Sequence, residues 1–248
     1  MAFEREEVFL TNKQQLLHML EEAALAYQDI QPCIFDTNTT VIDDCDTGVQ
    51  CYLRQKKSLL TITFRGTDSN TDRKNNLSFW KKVVPYGNIY SKIRVHCGFL
   101  NAYKSEKIRH QIQHCITSQI KQVRIAGHSL GAAMAILCAI DLQYHFPDRD
   151  YEVALFGCPR IGNRAFQKSY NKRIYKTLRV ENGNDIVTKV PPVWMGYRHV
   201  GIRIPVGMPR LPFIYSISQH RRQEYYKQLW KETVSYTHLR AHETDSYL

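Results

Sequence analysis

The sequence predicts an α/β fold in which a mostly parallel sheet is flanked by helices. Short apolar runs, the candidate strands, alternate along the chain with longer helical patterns, and this alternation is typical of parallel sheets covered by helices. The candidate strands of the second half are Val123–Ala126, Val153–Phe156 and Leu178–Val180. The chain has 248 residues, of which 43% are hydrophobic and 23% charged, so one globular domain with a substantial core is expected.

The first part of the chain predicts a helix, a loop and a hairpin. Apolar residues recur at helical intervals over residues 12–28, which are expected to form an amphipathic helix. Residues 36–47 are rich in Asp, Thr and Asn, and this composition favours a loop. Val49–Leu53 and Leu59–Phe64 are rich in β-forming residues and are expected to be the two strands of the hairpin.

The remaining elements complete the alternation. Residues 68–92 are polar and irregular, and they predict a long connection of the kind that is usually functional or mobile. Gly98–Gln119 has helical periodicity, and Leu130–Phe146 is an alanine-rich helix that ends before Pro147.

The last residues of the chain differ from the rest. Residues 234–248 follow the last apolar helical stretch and have no hydrophobic periodicity. The predicted organisation is therefore a single α/β domain over residues 1–233, followed by a non-native or disordered tail over residues 234–248.

The charge of the chain is strongly basic. The formal net charge is +11, and residues 54–92 are especially rich in lysine and arginine. Two interpretations stay open, a solvated basic surface and a surface that meets an anionic membrane. Nucleic acid is not expected as a partner, because the chain has no zinc-finger spacing, RNA-binding aromatic motif or basic zipper.

The N-terminus and the cysteines predict a cytoplasmic location. The first residues contain no apolar segment of the kind found in secretory signals, and Ala132–Ile140, the longest apolar run, is too short to span a bilayer. The seven cysteines include no C-x-x-C pair and are expected to be reduced. The oligomeric state stays open.

Residues 127–131, Gly-His-Ser-Leu-Gly, have the pattern of a nucleophile elbow. A predicted strand leads into the pentapeptide and a predicted helix leaves it, which is the setting that exposes a serine above the sheet of an α/β-hydrolase. Glycines on both sides remove Cβ atoms that would clash at so tight a turn. Ser129 is therefore the candidate nucleophile, and the alternative is a serine at an ordinary helix N-cap.

Six motifs in chain order resemble those of the class 3 lipases, the family of fungal triacylglycerol lipases and feruloyl esterases. They are Phe64–Thr67, Val95–Phe99, Gly127–Gly131, Phe156–Asn163, Asn184–Val187 and Val190–Pro192. The resemblance covers residues 12–232 and implies an α/β-hydrolase fold with a serine–aspartate–histidine triad. Cys158 departs from the family pattern, which usually has a small polar residue there.

A serine nucleophile needs a histidine base that is oriented by a carboxylate, and in this fold the order is serine, acid, histidine. Asp185 follows the strand Leu178–Val180 at the sheet edge where α/β active sites are built, and the resemblance also places the acid there. His199 and His220 both follow Asp185. His220 is preferred because its segment resembles the loop-to-helix segment that carries the family's base, although Gln219 stands where many members have aspartate. His199 remains the alternative.

The oxyanion of the tetrahedral intermediate needs two hydrogen-bond donors. Leu130 begins the helix after the elbow, so its N–H points towards the developing charge. The second donor comes from the loop after Leu59–Phe64, and the resemblance places it at Thr67. His96 and His128 flank the site and are expected to pack or to position other groups.

The resemblance also implies a lid over residues 69–85. A lid that meets triglyceride is expected to have a strongly apolar inner face. This segment begins with polar residues and carries a basic balance. Its composition favours anionic lipid head groups or soluble esters over neutral oil.

Together these observations predict a serine ester hydrolase that acts on lipid or other carboxylic esters. Ser129 attacks the ester carbonyl, His220 transfers the proton, Asp185 orients His220, and water hydrolyses the acyl-enzyme. The chemistry implies no metal and no organic cofactor. Two alternatives stay open, an acyltransferase that uses the same triad and a catalytically inactive lipid-binding module.

Overall fold

The computed structural model describes the backbone of residues 2–26, 39–66, 81–83, 90–208 and 214–245, and the side chains of these residues except 2–12, 81–83 and 234–245. The described strands are β1 (Thr39–Asp44), β2 (Val49–Lys56), β3 (Leu59–Phe64), β4 (Lys81–Val83), β5 (Arg94–His96), β6 (Gln122–His128), β7 (Asp150–Phe156), β8 (Gly162–Asn163), β9 (Thr177–Asn182), β10 (Tyr197–Arg198) and β11 (Ile202–Val206). The described helices are α1 (Ala2–Leu25), α2 (Cys97–Tyr103), α3 (Glu106–His114), α4 (Leu130–His145), α5 (Arg164–Arg173) and α6 (Arg222–Asp245). Short 3-10 turns lie at Val187–Lys189, Val193–Met195 and Ser218–His220.

The main sheet has the strand order β1-β2-β3-β6-β7-β9-β11. The strands from β3 to β11 pair in parallel, whereas β1, β2 and β3 form an antiparallel meander at one edge. A smaller antiparallel sheet has the order β10-β8-β5-β4. The predicted α/β fold with a mostly parallel sheet is therefore confirmed.

Both faces of the main sheet are covered, because successive side chains of a strand point to opposite faces. Val123 and Ile125 of β6 pack into a cluster that includes most of α4, whereas Ala126 packs with α1 and α6 on the other face. Burial on two faces explains why the central strands consist of short apolar runs. The carboxyl ends of β6, β7 and β9 meet at one edge of this sheet.

Four predicted elements differ from the structure. The helix expected over residues 12–28 begins at Ala2 and ends at Leu25. The segment 68–92, expected to be a connection, contains β4 at Lys81–Val83.

β1 lies in the segment expected to be a loop. The polar composition of residues 36–47 favoured a loop, but the segment forms an edge strand in which Ile42 and Asp44 are buried. The helix predicted over Gly98–Gln119 is broken into α2 and α3 at Ser105, which has non-helical backbone angles. The Ser105 hydroxyl donates to Asp44 Oδ2 at 2.5 Å, so this hydrogen bond links the break in the helix to β1.

The backbone of the last helix continues as far as Asp245 and so crosses the predicted boundary at residues 233 and 234. Side chains beyond residue 233 and the whole of residues 246–248 lie outside the described part, so the single domain over residues 1–233 and the non-native or disordered tail stay predictions. Among the described residues, no helix carries an apolar stretch long enough to cross a bilayer.

Candidate active site

Ser129 lies at a sharp turn between β6 and α4. Its backbone angles are φ 60° and ψ −123°, in a region that non-glycine residues rarely occupy. The Ser129 N–H donates to the carbonyl oxygen of Phe156 at 2.9 Å, which anchors the turn to the end of β7. Such strain persists only where the surrounding structure enforces it, and it is typical of functional sites.

The two glycines of the pentapeptide are required by close backbone contacts. A Cβ atom at Gly127 would lie 2.3 Å from the carbonyl oxygen of Gly131. A Cβ atom at Gly131 would lie 2.4 Å from the carbonyl oxygen of Phe64 in β3. Because backbone atoms cannot move aside as a flexible side chain can, both positions exclude any side chain. Glycine at these two positions therefore allows the tight turn and the close packing of α4 against β3.

The structure brings together the three residues of the predicted triad. His220 Nε2 lies 2.8 Å from Ser129 Oγ, and His220 Nδ1 lies 2.8 Å from Asp185 Oδ2. A carboxylate only accepts hydrogen bonds, so Nδ1 is the donor to Asp185, and Nε2 is the nitrogen that can accept from the serine hydroxyl. His220 and Asp185 are both buried. This arrangement is chemically competent to activate the Ser129 hydroxyl.

Asp185 is held by donors on both carboxylate oxygens. The Val187 N–H donates to Oδ1 at 2.8 Å, and the Tyr225 hydroxyl donates to Oδ2 at 2.6 Å. Burial, and the neighbouring Asp185, raise the pKa of Tyr225 well above its ordinary value, so its hydroxyl keeps its proton and remains a donor. Tyr225 was not among the predicted site residues. The family segment that His220 resembles has a tyrosine five residues after its histidine, and Tyr225 stands at that position.

His128 holds the predicted base from its other side. Its Nε2 donates to the carbonyl oxygen of His220 at 2.8 Å, and the two imidazole rings stack with centroids 4.6 Å apart. The side chain before the nucleophile therefore fixes the 3-10 turn that ends at His220. This contact agrees with the positioning role expected for His128.

Gly157 and Gln219 also shape the site, and the sequence did not indicate how. Gly157 has φ +57°, and a Cβ atom there would lie 3.0 Å from Asp185 Oδ2 and from His220 Nδ1. Gln219 Oε1 accepts from the Asn184 N–H at 2.8 Å, next to the acid. Gln219, which stands where many family members have aspartate, thus stabilises the loop that carries Asp185.

His199, the alternative base, lies apart from the nucleophile. Its Nε2 donates to the carbonyl oxygen of Thr188 at 2.8 Å and lies 3.6 Å from Glu181 Oε1. Burial lowers the pKa of His199 to about 2, and nearby Arg179 acts in the same direction. His199 therefore stays neutral and ties the turn after Asp185 to the sheet.

The low pKa of His199 predicts a loss of stability in acid. The unfolded chain binds a proton at this residue below its ordinary pKa of about 6.5, whereas the folded chain does not. The stabilisation is complete above that pH, and it falls by about 2 kcal/mol between about pH 7 and pH 5. We expect His199→Gln to remove this part of the pH dependence of the free energy of urea unfolding. Equal slopes for the parent and the His199→Gln protein would contradict the assignment.

Of the two predicted oxyanion donors, one lies within the described residues and the other does not. Leu130 is the first residue of α4, where N–H groups have no acceptor within the helix, and it directly follows Ser129. Thr67, the other predicted donor, lies outside the described residues, as does the predicted lid except for Lys81–Val83 in β4. Within the described residues, no group of three histidine, cysteine or acidic side chains has the geometry of a metal site.

Comparison with known proteins gives consistent matches. Residues 61–195 match the family described as lipase (class 3). A chloroplastic phospholipase A(1) of Arabidopsis thaliana is 34% identical over 54% of this chain and 34% of its own length. A secreted mono- and diacylglycerol lipase of Malassezia restricta is 37% identical over 47% of this chain and 40% of its own. The chain thus spans less than half the length of these two relatives.

A solved structure supports the fold. The triacylglyceride lipase of Rhizomucor miehei superposes with a TM-score of 0.71 at 22% identity, over 85% of this chain and 93% of that one. This likeness confirms the α/β-hydrolase fold.

The prediction of a cytoplasmic location is wrong. The relative from Malassezia restricta is named a secreted lipase, and this finding overturns the prediction. The prediction rested on the first residues of a chain that spans only part of such relatives, and on thiols whose oxidation state the sequence does not encode.

Proposed function

The chain belongs to the class 3 lipase family, and from that premise we propose that it hydrolyses carboxylic esters of lipids through Ser129, His220 and Asp185. The observation that carries the proposal is the pair of 2.8 Å contacts that His220 makes, one with Ser129 Oγ and one with Asp185 Oδ2. A hydroxyl, an imidazole and a buried carboxylate in this order are the parts that acyl transfer through a serine needs.

In the acylation step, the Ser129 oxygen bonds to the ester carbonyl carbon while its proton passes to His220 Nε2. The tetrahedral intermediate then collapses, and the bond between the carbonyl carbon and the leaving alcohol oxygen breaks. His220 returns the proton to that oxygen, so an alcohol leaves and an acyl-Ser129 remains. Asp185 keeps the imidazole in the required tautomer and stabilises its transient positive charge.

Deacylation repeats the same proton transfers with water. His220 Nε2 takes a proton from water as its oxygen bonds to the acyl carbon. The bond to Ser129 then breaks, and the proton passes to the serine oxygen. The products are a free carboxylic acid and the regenerated hydroxyl. No metal and no organic cofactor takes part in these steps.

Backbone and side-chain donors stabilise the oxyanion in both steps. We assign this role to the Leu130 N–H, aided by the partial positive charge at the start of α4, and to Thr67. A single such donor contributes about 10²- to 10³-fold to kcat in comparable sites.

The substrate class follows from the family and its named members. Phospholipase A(1) and mono- and diacylglycerol lipase activities are named for relatives of this chain, and both cleave esters of glycerol lipids. We therefore propose glycerolipid esters as the substrates and a lipid surface as the partner.

The proposal is tested by hydrolysis of p-nitrophenyl esters with short and long acyl chains, with Ser129→Ala protein as the blank. We expect turnover only in the parent protein, together with covalent labelling of Ser129 by an alkyl phosphonate, detected by mass spectrometry of the peptide. Turnover that persists in the Ser129→Ala protein would refute the assignment. An added alcohol acceptor separates hydrolysis from acyl transfer, since a transferase forms mainly the new ester.

A further inference from the structure

A buried carboxylate lies near the end of β9, four residues before Asp185. Glu181 is 4% exposed, and it accepts a hydrogen bond from the guanidinium of Arg179, which is also buried. Side chains two residues apart point to the same face of a strand, so β9 alone builds this pair. A buried ion is tolerated only where its charge is compensated, and the partners of Glu181 therefore define its role.

Two further cations approach the second oxygen of the same carboxylate. Arg203 Nε, in β11, donates to Glu181 Oε2 at 2.8 Å. Lys189 Nζ lies 3.5 Å from the same oxygen. Lys189 ends the 3-10 turn that follows Asp185, so it lies four residues after the predicted acid. Glu181 therefore forms an ion pair with a lysine of the loop that carries Asp185.

Lys189 lies within electrostatic range of two carboxylates. Burial lowers the pKa of Lys189, and nearby Arg203 acts in the same direction. The Asp185 carboxylate acts in the opposite direction, so it attracts the lysine. Lys189 is thus attracted by the predicted acid on one side and by Glu181 on the other, and it pairs with Glu181.

An additional cation at Asp185 would work against catalysis. The carboxylate already accepts hydrogen bonds from the Val187 N–H, the Tyr225 hydroxyl and His220 Nδ1. A lysine ammonium has three donors and would compete for these oxygens. Its charge would also oppose the positive charge that His220 gains when it takes the serine proton. An acid that holds the lysine elsewhere therefore favours the reaction.

We propose that Glu181 is a positioning residue for the predicted triad. It holds Lys189 and compensates its charge, so that the lysine does not pair with Asp185. Glu181 acts through Lys189 and is not itself a catalytic residue. This inference rests on the proposed hydrolase function, because it concerns the proton transfer that His220 performs.

The test measures kcat and KM of Glu181→Gln for a soluble p-nitrophenyl ester. We expect kcat to fall about tenfold, which is within the range of coupling between members of one ion-pair network. KM is expected to change little, because Glu181 is buried beside β11 and is not placed to contact the ester. In a Lys189→Met background, the same substitution is expected to change kcat by less than about twofold, because the lysine that Glu181 holds is then absent.

Arg203→Met provides the matched background. Arg203 contacts the same carboxylate oxygen as Lys189 and carries the same charge, but it belongs to β11 and not to the loop of the acid. Combined with Glu181→Gln it removes as much charge and leaves Lys189 in place, so we expect the loss of about tenfold to persist. A merely structural role of Glu181 predicts the same loss in both backgrounds. That result, or an unchanged kcat in the folded Glu181→Gln protein, would overturn the proposal.

Circular dichroism and thermal unfolding establish that each variant is folded, since Glu181→Gln removes the carboxylate partner of the buried Arg179. If the variant does not fold, the same comparisons are made in an Arg179→Met background, which removes the buried cation, and the expected results are the same. A parent without Ser129-dependent turnover would refute the proposed function and this inference together. An active parent in which Glu181 and Lys189 are not coupled in kcat would refute this inference alone.

Discussion

Replacement of His220 by alanine is expected to lower kcat by about 10⁶-fold, as loss of the base does in other serine hydrolases. His220 is the imidazole within hydrogen-bond distance of the Ser129 hydroxyl, at 2.8 Å. Without it, the hydroxyl keeps its proton and is a poor nucleophile. The measurement is kcat for a soluble p-nitrophenyl ester under saturating conditions.

His199→Ala provides the control for this prediction. His199 contacts the Thr188 carbonyl and lies near Glu181, and neither group belongs to the predicted triad. We expect this variant to unfold more easily but to keep kcat within about tenfold of the parent. A folded His199→Ala protein that has lost turnover, beside an active His220→Ala protein, would reverse the assignment of the base.

The choice between the two histidines shows where sequence reasoning ends. Both follow Asp185, and chain order alone admits either of them. What separates them is the position of each side chain relative to Ser129. That position depends on the path of the segment after β11, which local patterns do not encode. The family resemblance favoured His220, and the structure places that residue beside the nucleophile.

The elbow could be predicted because its determinants are local. The glycines, the serine, the strand before them and the helix after them all lie within one short segment. The reason for glycine at position 131 is not local, because a Cβ atom there would clash with the backbone of Phe64, which lies far away in the sequence. Gly157 and Tyr225 could not be assigned for the same reason, since each acts on Asp185 across a large separation in sequence.

The central strands were predicted because each contains a short apolar run, whereas β1 and the break at Ser105 depend on contacts between distant segments. β1 has a polar composition, and its pairing with β2 makes it a strand. The break at Ser105 depends on Asp44, which belongs to that unpredicted strand. The missed strand β1 therefore accounts for both of these differences.

Asp185→Asn is expected to lower kcat by about 10⁴-fold, as the same change does in comparable triads. The groups that contact the Asp185 carboxylate, His220 Nδ1, the Tyr225 hydroxyl and the Val187 N–H, are all donors. An amide has only one acceptor oxygen, so its NH₂ group must face a donor or force His220 into the other tautomer. In that tautomer Nε2 carries a proton and cannot accept one from Ser129.

Tyr225→Phe is the graded control, because it removes one donor and leaves the carboxylate and His220 in place. We expect a loss of about tenfold in kcat, which corresponds to about 1.4 kcal/mol and to one hydrogen bond to a charged group. KM for a soluble ester is expected to change little in either variant, since neither side chain is placed to contact the acyl chain. The measurement is kcat and KM for each variant, together with thermal unfolding. If a folded Asp185→Asn protein loses no more activity than Tyr225→Phe, then Asp185 serves only to support the loop, and the acid of the triad must be sought elsewhere.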